Sequence, residues 1–186
     1  MVRYFILIAC CCLWLSATAQ KFQPIDRQSE VSFSIRNFGI TVNGKFTGLK
    51  GEIGFDTQQP SKSFFNVSVN ASSVDTGIQL RDKHLRSEDF FNANVFPLFQ
   101  FKSTEISSTK VKDSWRVKGV LIMKGDAKEC SFPFTVFTED NEMLMSGAFN
   151  INRRDFKIGG SSIGISDSVQ IRLKVRLRQT GSLSGH

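Results

Sequence analysis

The sequence predicts an all-β protein, a barrel or a two-sheet sandwich, with about eight or nine antiparallel strands and one short helical insert. Three observations support this prediction. Apolar and polar residues alternate with a period of two in segment after segment, which is typical of strands with one buried face. Turn-forming residues separate these segments. The alternation is interrupted in one stretch, residues 76–91.

The alternating segments follow one another from residue 30 to near the end of the chain. In EVSFSIR (30–36), Val31, Phe33 and Ile35 share one face. In the last segment, aliphatic residues from Val169 to Leu177 share one face, and the other face is basic. Its basic residues are Arg172, Lys174, Arg176 and Arg178. The same period occurs in segments 65–69, 99–101, 115–123, 130–136 and 143–151.

Short polar stretches between the strands predict the turns. VNGK (42–45) is a strong candidate for a tight hairpin turn, because Asn and Gly tolerate positive φ. FTGLKG (46–51) predicts a bend or bulge, since its glycines allow one. KGDAK (124–128) and EDNE (139–142) predict hairpin connections.

The interrupted stretch has helical spacing. Leu80 and His84 are four residues apart, and Ile78 and Leu85 are seven apart, so each pair lies on one side of a helix. Ser87, followed by two acids, can begin a second short turn. We expect this insert to cover one end of the barrel or sandwich.

The N-terminal residues have the layout of a secretory signal peptide. One basic residue, Arg3, precedes an apolar run, and small residues follow at 17–19. We therefore expect cleavage between Ala19 and Gln20, and a periplasmic or secreted protein. LIAC (7–10) also resembles a lipoprotein box, so lipidation is the alternative.

The remaining chain, residues 20–186, is expected to form one domain. It would keep one cysteine, Cys130, so no internal disulfide is expected. The formal net charge of +7 is modest. RNA-binding aromatic motifs and Cys/His finger spacings are missing, so we expect no nucleic-acid partner. The 18 phenylalanines suit either a packed core or a cavity for a long apolar ligand.

The stretch RDKHLRSEDFF (81–91) is the densest run of chemically functional side chains. A zinc or iron site needs three or four ligands, and His84 has no second histidine at a suitable spacing, so we expect no metal and no cofactor. Three hypotheses remain open. Arg81, Asp82 and His84 tie the insert to strand ends, or contact a ligand headgroup at a cavity mouth. Alternatively, His84 and Asp82 serve a hydrolase or isomerase.

Four segments resemble the YceI-like family. They are residues 31–56, VSFSIRNFGITVNGKFTGLKGEIGFD; 73–103, SVDTGIQLRDKHLRSEDFFNANVFPLFQFKS; 117–134, VKGVLIMKGDAKECSFPF; and 149–175, which begins FNINRRDFKIGG. The resemblance implies a lipocalin-like, extended antiparallel β-barrel that encloses a polyisoprenoid or a quinone-like chain. It thus implies a non-enzymatic binding protein. A hydrolase or isomerase that uses His84 and Asp82 remains one alternative. The other is a stress-related envelope protein whose basic last segment makes transient contact with an anionic membrane.

If the barrel is hollow, the inward residues of the alternating segments should form its wall. We expect the ligand to contact Phe33, Ile35, Phe55, Val67, Phe99, Phe101, Leu121, Met123, Phe134, Phe149, Ile151 and Ile171.

Overall fold

The computed structural model describes residues 20–139 and 142–180, which contain ten strands and one α-helix. The strands are β1 (Gln20–Pro24), β2 (Glu30–Asn37), β3 (Ile40–Phe46), β4 (Lys50–Phe55), β5 (Phe64–Asn70), β6 (Leu98–Ser108), β7 (Ser114–Met123), β8 (Asp126–Glu139), β9 (Glu142–Asn152) and β10 (Ile165–Gln179). The helix α1 spans Gln79–Arg86. Single 3₁₀ turns occur at Asp26–Gln28, Pro60–Lys62, Ala71–Ser73 and Arg153–Phe156.

The strands form a closed antiparallel barrel of the order β1-β4-β5-β6-β7-β8-β9-β10, and β1 pairs again with β10. Closure takes place at Phe22↔Gln179 and the two pairs beside it. The long strand β10 also pairs with β2, which in turn pairs with β3. The β2–β3 hairpin therefore extends the wall at one end. The all-β prediction is confirmed, and the barrel is the correct alternative.

The helical insert predicted at 76–91 is confirmed by α1. Phe90 and Phe91, which follow it, are buried against one end of the barrel. We call this end the insert end and the opposite end the far end.

The hairpin turn predicted at Asn43-Gly44 is wrong. Both residues lie inside β3, and the chain instead reverses at Phe38-Gly39, where both φ angles are positive. Gly44 is needed for another reason. A Cβ at this position would lie 2.4 Å from the ring of Phe33, so the glycine makes room for that ring in the core. The connections predicted at 46–51 and 124–128 are confirmed, since β3 and β7 end there.

Some predictions fall outside the described residues. The signal peptide, its cleavage site and the lipoprotein box precede Gln20, and the EDNE connection includes residues 140 and 141. Within the described part, no helix is long and apolar enough to cross a membrane.

Candidate functional site

A cavity of about 150 Å³ lies inside the barrel, between two clusters of buried apolar side chains. Its wall is almost entirely apolar, and none of the described residues that line it is charged. The residues of the wall come from all strands except β1. The apolar ones are Val31, Phe46, Leu49, Ile53, Phe65, Val67, Val69, Phe99, Phe101, Leu121, Met123, Phe132, Phe134, Met145, Phe149, Ile171, Leu173 and Val175.

The structure brings eight of the twelve predicted wall residues together around this cavity. They are Val67, Phe99, Phe101, Leu121, Met123, Phe134, Phe149 and Ile171. The other four pack beside the cavity. Phe33 belongs to the cluster at the insert end, and Ile35 and Ile151 pack against it. Phe55 is buried in the cluster at the far end.

Sequence reasoning missed several wall residues although their signal was present. Val31, Leu173 and Val175 alternate with residues that were selected, and Phe132 lies two positions before Phe134. The period of two gives the inward face of a strand. The extent of the cavity along that face depends on the facing side chains, which a single strand does not reveal.

Aromatic rings fill the insert end of the cavity. The ring of Phe46 lies 5.5 Å from that of Phe33, 5.7 Å from Phe91 and 5.5 Å from Phe99, measured between centroids. Phe91 and Phe99 meet edge to face at 5.2 Å. Phe91 comes directly from the insert, so the insert supplies part of this closure.

A second aromatic cluster fills the far end. Phe134 contacts Phe55, Phe65 and Trp115 at centroid distances of 5.7, 5.2 and 6.0 Å. Phe55 and Trp115 also meet edge to face at 5.2 Å. Packed rings therefore close both ends of the cavity, and most of these pairs have the tilted or edge-to-face geometry that is favourable for aromatic pairs, while Trp115 and Phe134 stack.

The polar cluster of the insert is occupied by structural contacts. Asp82 is buried, and its carboxylate accepts hydrogen bonds from the backbone amide and the hydroxyl of Thr76. Arg81 donates to the hydroxyl and carbonyl oxygens of the same threonine, both at 2.8 Å. Arg86 donates to the carbonyl oxygens of Ser72 and Val74, at 2.6 and 2.9 Å. These contacts hold α1 against the segment that precedes it.

His84 is exposed, and its ring meets that of Phe90 edge to face at 4.7 Å. His84 and Asp82 are two residues apart on α1, so their side chains point in different directions. Neither residue lines the cavity. No group of three or more potential metal ligands occurs among the described residues.

A buried arginine that sequence reasoning did not identify holds the loop after β9. The guanidinium of Arg153 donates to the carbonyl oxygens of Ile158, Gly160, Ile165 and Ser166, at 2.7 to 3.2 Å. It also lies 3.1 Å from the carboxylate of Asp167. Burial lowers the pKa of Arg153, and the charge of Asp167 opposes that shift. Arginine is usually exposed, so the sequence alone gives no reason to expect that Arg153 is buried.

The basic face of β10 is partly neutralised by neighbours. Arg176 forms a 2.7 Å salt bridge with Glu142, and Arg172 donates to Gln170. Arg172 and Lys174 border a groove on the outer wall, together with Glu30. Contact between this face and an anionic membrane remains a prediction.

A family model described as the YceI-like domain matches residues 22–177, nearly all of the barrel. The chain belongs to the YceI-like family. A UPF0312 protein of Yersinia enterocolitica is 31% identical over 170 residues, covering 86% of this chain and 87% of the relative. A UPF0312 protein of Pseudomonas paraeruginosa is 30% identical over 161 residues, covering 81% and 83%.

Solved structures share the fold of this YceI-like protein. BcnA of Burkholderia cenocepacia superposes with a TM-score of 0.77 at 23% identity, covering 81% of this chain and 96% of BcnA. A polyisoprenoid-binding domain from Saccharophagus degradans superposes with a TM-score of 0.67 at 14% identity, covering 86% and 98%. At these identities, the likeness establishes the barrel fold alone.

Proposed function

We propose that this YceI-like protein is an exported, non-enzymatic binding protein that encloses the apolar chain of a lipid for storage or transport. The proposed ligand is a polyisoprenoid or an isoprenoid quinone. The observation that carries the proposal is the cavity, because its wall is apolar and offers a ligand no charged partner. The polyisoprenoid-binding domain of Saccharophagus degradans, which has the same fold, supports this choice of ligand.

The hydrophobic effect supplies the affinity in such a cavity. At ~25 cal/mol for each Å² of apolar surface removed from water, a ligand that buries about 200 Å² gains about 5 kcal/mol before the costs of association. No polar contact is required for this gain. Binding should therefore depend mainly on the shape and length of the apolar chain, and only weakly on its headgroup.

The volume of the cavity limits what it holds without movement. A dry cavity of about 150 Å³ lined by apolar side chains accommodates a molecule of the size of benzene. A longer chain needs side chains of the wall to turn. Met123 and Met145 are suited to this, because an unbranched thioether side chain adapts to an irregular ligand.

The state of the insert supports a binding role over an enzymatic one. The carboxylate of Asp82 already accepts two hydrogen bonds from Thr76, and His84 points elsewhere on α1. The polar headgroup role expected for Arg81 has no support either, because its guanidinium is bonded to Thr76. The case for export rests on the signal-like sequence before Gln20.

Native mass spectrometry of the protein purified from its own host tests the proposal. We expect a bound species whose mass, after extraction into organic solvent, is that of an isoprenoid. We also expect the intact protein to begin at Gln20. His84→Ala should carry the same ligand as the wild type. A wild-type protein that is always empty, or loss of the ligand in His84→Ala, would argue against this function.

A further inference from the structure

The barrel has a discontinuity between β8 and β9. In the described residues, the ladder that joins these strands runs from Phe134↔Gly147 to Glu139↔Glu142. β8 begins at Asp126 and β9 continues to Asn152, so residues 126–133 and 148–152 lie beyond the ladder. We call the space between these two stretches the seam.

The sequence explains why the ladder ends where it does. The next residue of β8 beyond Phe134 is Pro133, which has no backbone N–H to donate to β9. Both strands remain paired on their other sides, β8 with β7 and β9 with β10. The seam is therefore a local gap between two well-supported strand edges.

Side chains close the seam. If the register of the ladder continued, Phe132 would face Phe149, and their rings do stack, with centroids 4.2 Å apart. The next pair on the same face of the strands in this register is Cys130 and Ile151. At the insert end, the ammonium of Lys157 lies 3.0 Å from the carboxylate of Asp126.

The groove on the outer wall lies where the ladder ends and the seam begins, because Pro133 and Ala148, the first residues of the seam, border it. Phe134 and Gly147, the last pair of the ladder, line both the cavity and the groove. Gly147 has no side chain to thicken the wall at this point. The two ends of the cavity, in contrast, are filled by the aromatic clusters described above.

We propose that the seam is the portal through which an apolar ligand enters and leaves the cavity. Opening it requires the Phe132 and Phe149 rings to turn, and it breaks none of the strand pairs between β8 and β9. The inference rests on the proposed binding function, since a portal serves a cavity that is filled and emptied. It gives the facing edges of β8 and β9 a role in the entry and release of the ligand.

A reversible disulfide across the seam tests the portal. Ile151→Cys places a thiol opposite the native Cys130 if the register of the ladder continues across the seam, and a disulfide between them would then join the two strand edges. The probe is N-phenyl-1-naphthylamine, a small apolar fluorophore, and stopped-flow fluorescence gives its association and dissociation rates. We expect oxidation of Ile151→Cys to slow both rates about tenfold or more, and reduction to restore them. The Cys130→Ala, Ile151→Cys double variant, which cannot form the bond, should exchange the probe at the same rate under both conditions.

The outcomes distinguish the portal from the binding function. Wild-type protein that binds neither the probe nor an isoprenoid overturns both. If the oxidised variant binds the probe with unchanged rates, the portal alone is overturned. The same holds if Ile151→Cys cannot be oxidised, because the register assumed across the seam would then be wrong. Hydrogen exchange gives a second test. Amides of 128–132 and 148–152 that face the seam should exchange at least about tenfold faster than those of the ladder. Equal protection contradicts the proposal.

Discussion

The rings of Phe132 and Phe149 stack with centroids 4.2 Å apart and planes inclined by 9°, on two strands whose ladder has already ended. Both residues also line the cavity. The contact between them is therefore part of the cavity wall and part of the closure of the seam. At the far end, in contrast, the strands are paired at Phe134, and the ring of Phe134 contacts three other rings.

This difference predicts unequal costs of truncation. Phe134→Ala should lower the free energy of unfolding by about 3–5 kcal/mol, because the ring is buried among three others. Phe149→Ala should cost less, about 2–3 kcal/mol, because its ring is only half-buried and stacks on the single ring of Phe132. Urea denaturation of both variants measures the two values. Equal losses would indicate that Phe149 belongs to a packed core.

Arg153 should be among the most sensitive polar positions. Arg153→Met leaves four carbonyl oxygens without their donor, and we expect a loss of about 3–5 kcal/mol in the free energy of unfolding. Arg153→Lys should recover little, because an ammonium cannot reproduce the planar set of donors. Arg154→Met, which breaks the neighbouring exposed contact with Asp167, is the matched control and should cost less than about 1 kcal/mol. Similar losses at both positions would refute the role given to Arg153.

The insert offers a direct comparison of its two candidate catalytic residues. Asp82→Ala should lower the free energy of unfolding by about 1–3 kcal/mol, because it leaves the half-buried amide of Thr76 without its acceptor. His84→Ala should change it by less than about 0.5 kcal/mol beyond the loss of one exposed ring contact. Thermal or urea unfolding measures both. A stable Asp82→Ala protein would show that these hydrogen bonds do not hold the insert.

Cys130 predicts a dependence of stability on alkaline pH. Burial raises the pKa of its thiol from the ordinary value of 9.0 to about 11. The folded state thus keeps its proton at a pH where the unfolded state loses it, so stability is full below pH 9 and falls as the pH rises towards 11. The difference in free energy of unfolding between wild type and Cys130→Ala, measured in this range, should show the fall. A pH-independent difference would mean that the thiol titrates alike in both states.

The sequence was informative where structure is local. Alternation from Val31 to Leu177 identified the inward faces, and the spacing of Leu80 and His84 located α1. The interpretation of Asn43-Gly44 failed because a local turn preference was overruled by the need to seat the ring of Phe33.

The site was predicted less completely, for a physical reason. The inward face of each strand follows from its own residues, but the limits of the cavity depend on which rings meet across the barrel. Ile35 and Ile151 face inward and yet lie beside the cavity, against the insert-end cluster. The seam is a relationship between two strands, and Pro133 was its one local signal.

The central claim is that the cavity holds the apolar chain of a ligand, and Leu121→Trp tests it most directly. Leu121 lines the cavity, and Ile122, the next residue of β7, points to the opposite face and provides the matched control, Ile122→Trp. Native mass spectrometry should compare the bound lipid of both variants with that of the wild type, after circular dichroism has established that each is folded. We predict that Leu121→Trp folds and is empty, because the indole occupies the cavity, while Ile122→Trp carries the lipid. A folded Leu121→Trp protein that still carries its lipid would contradict the account, and so would one that unfolds because its interior has no space for the ring.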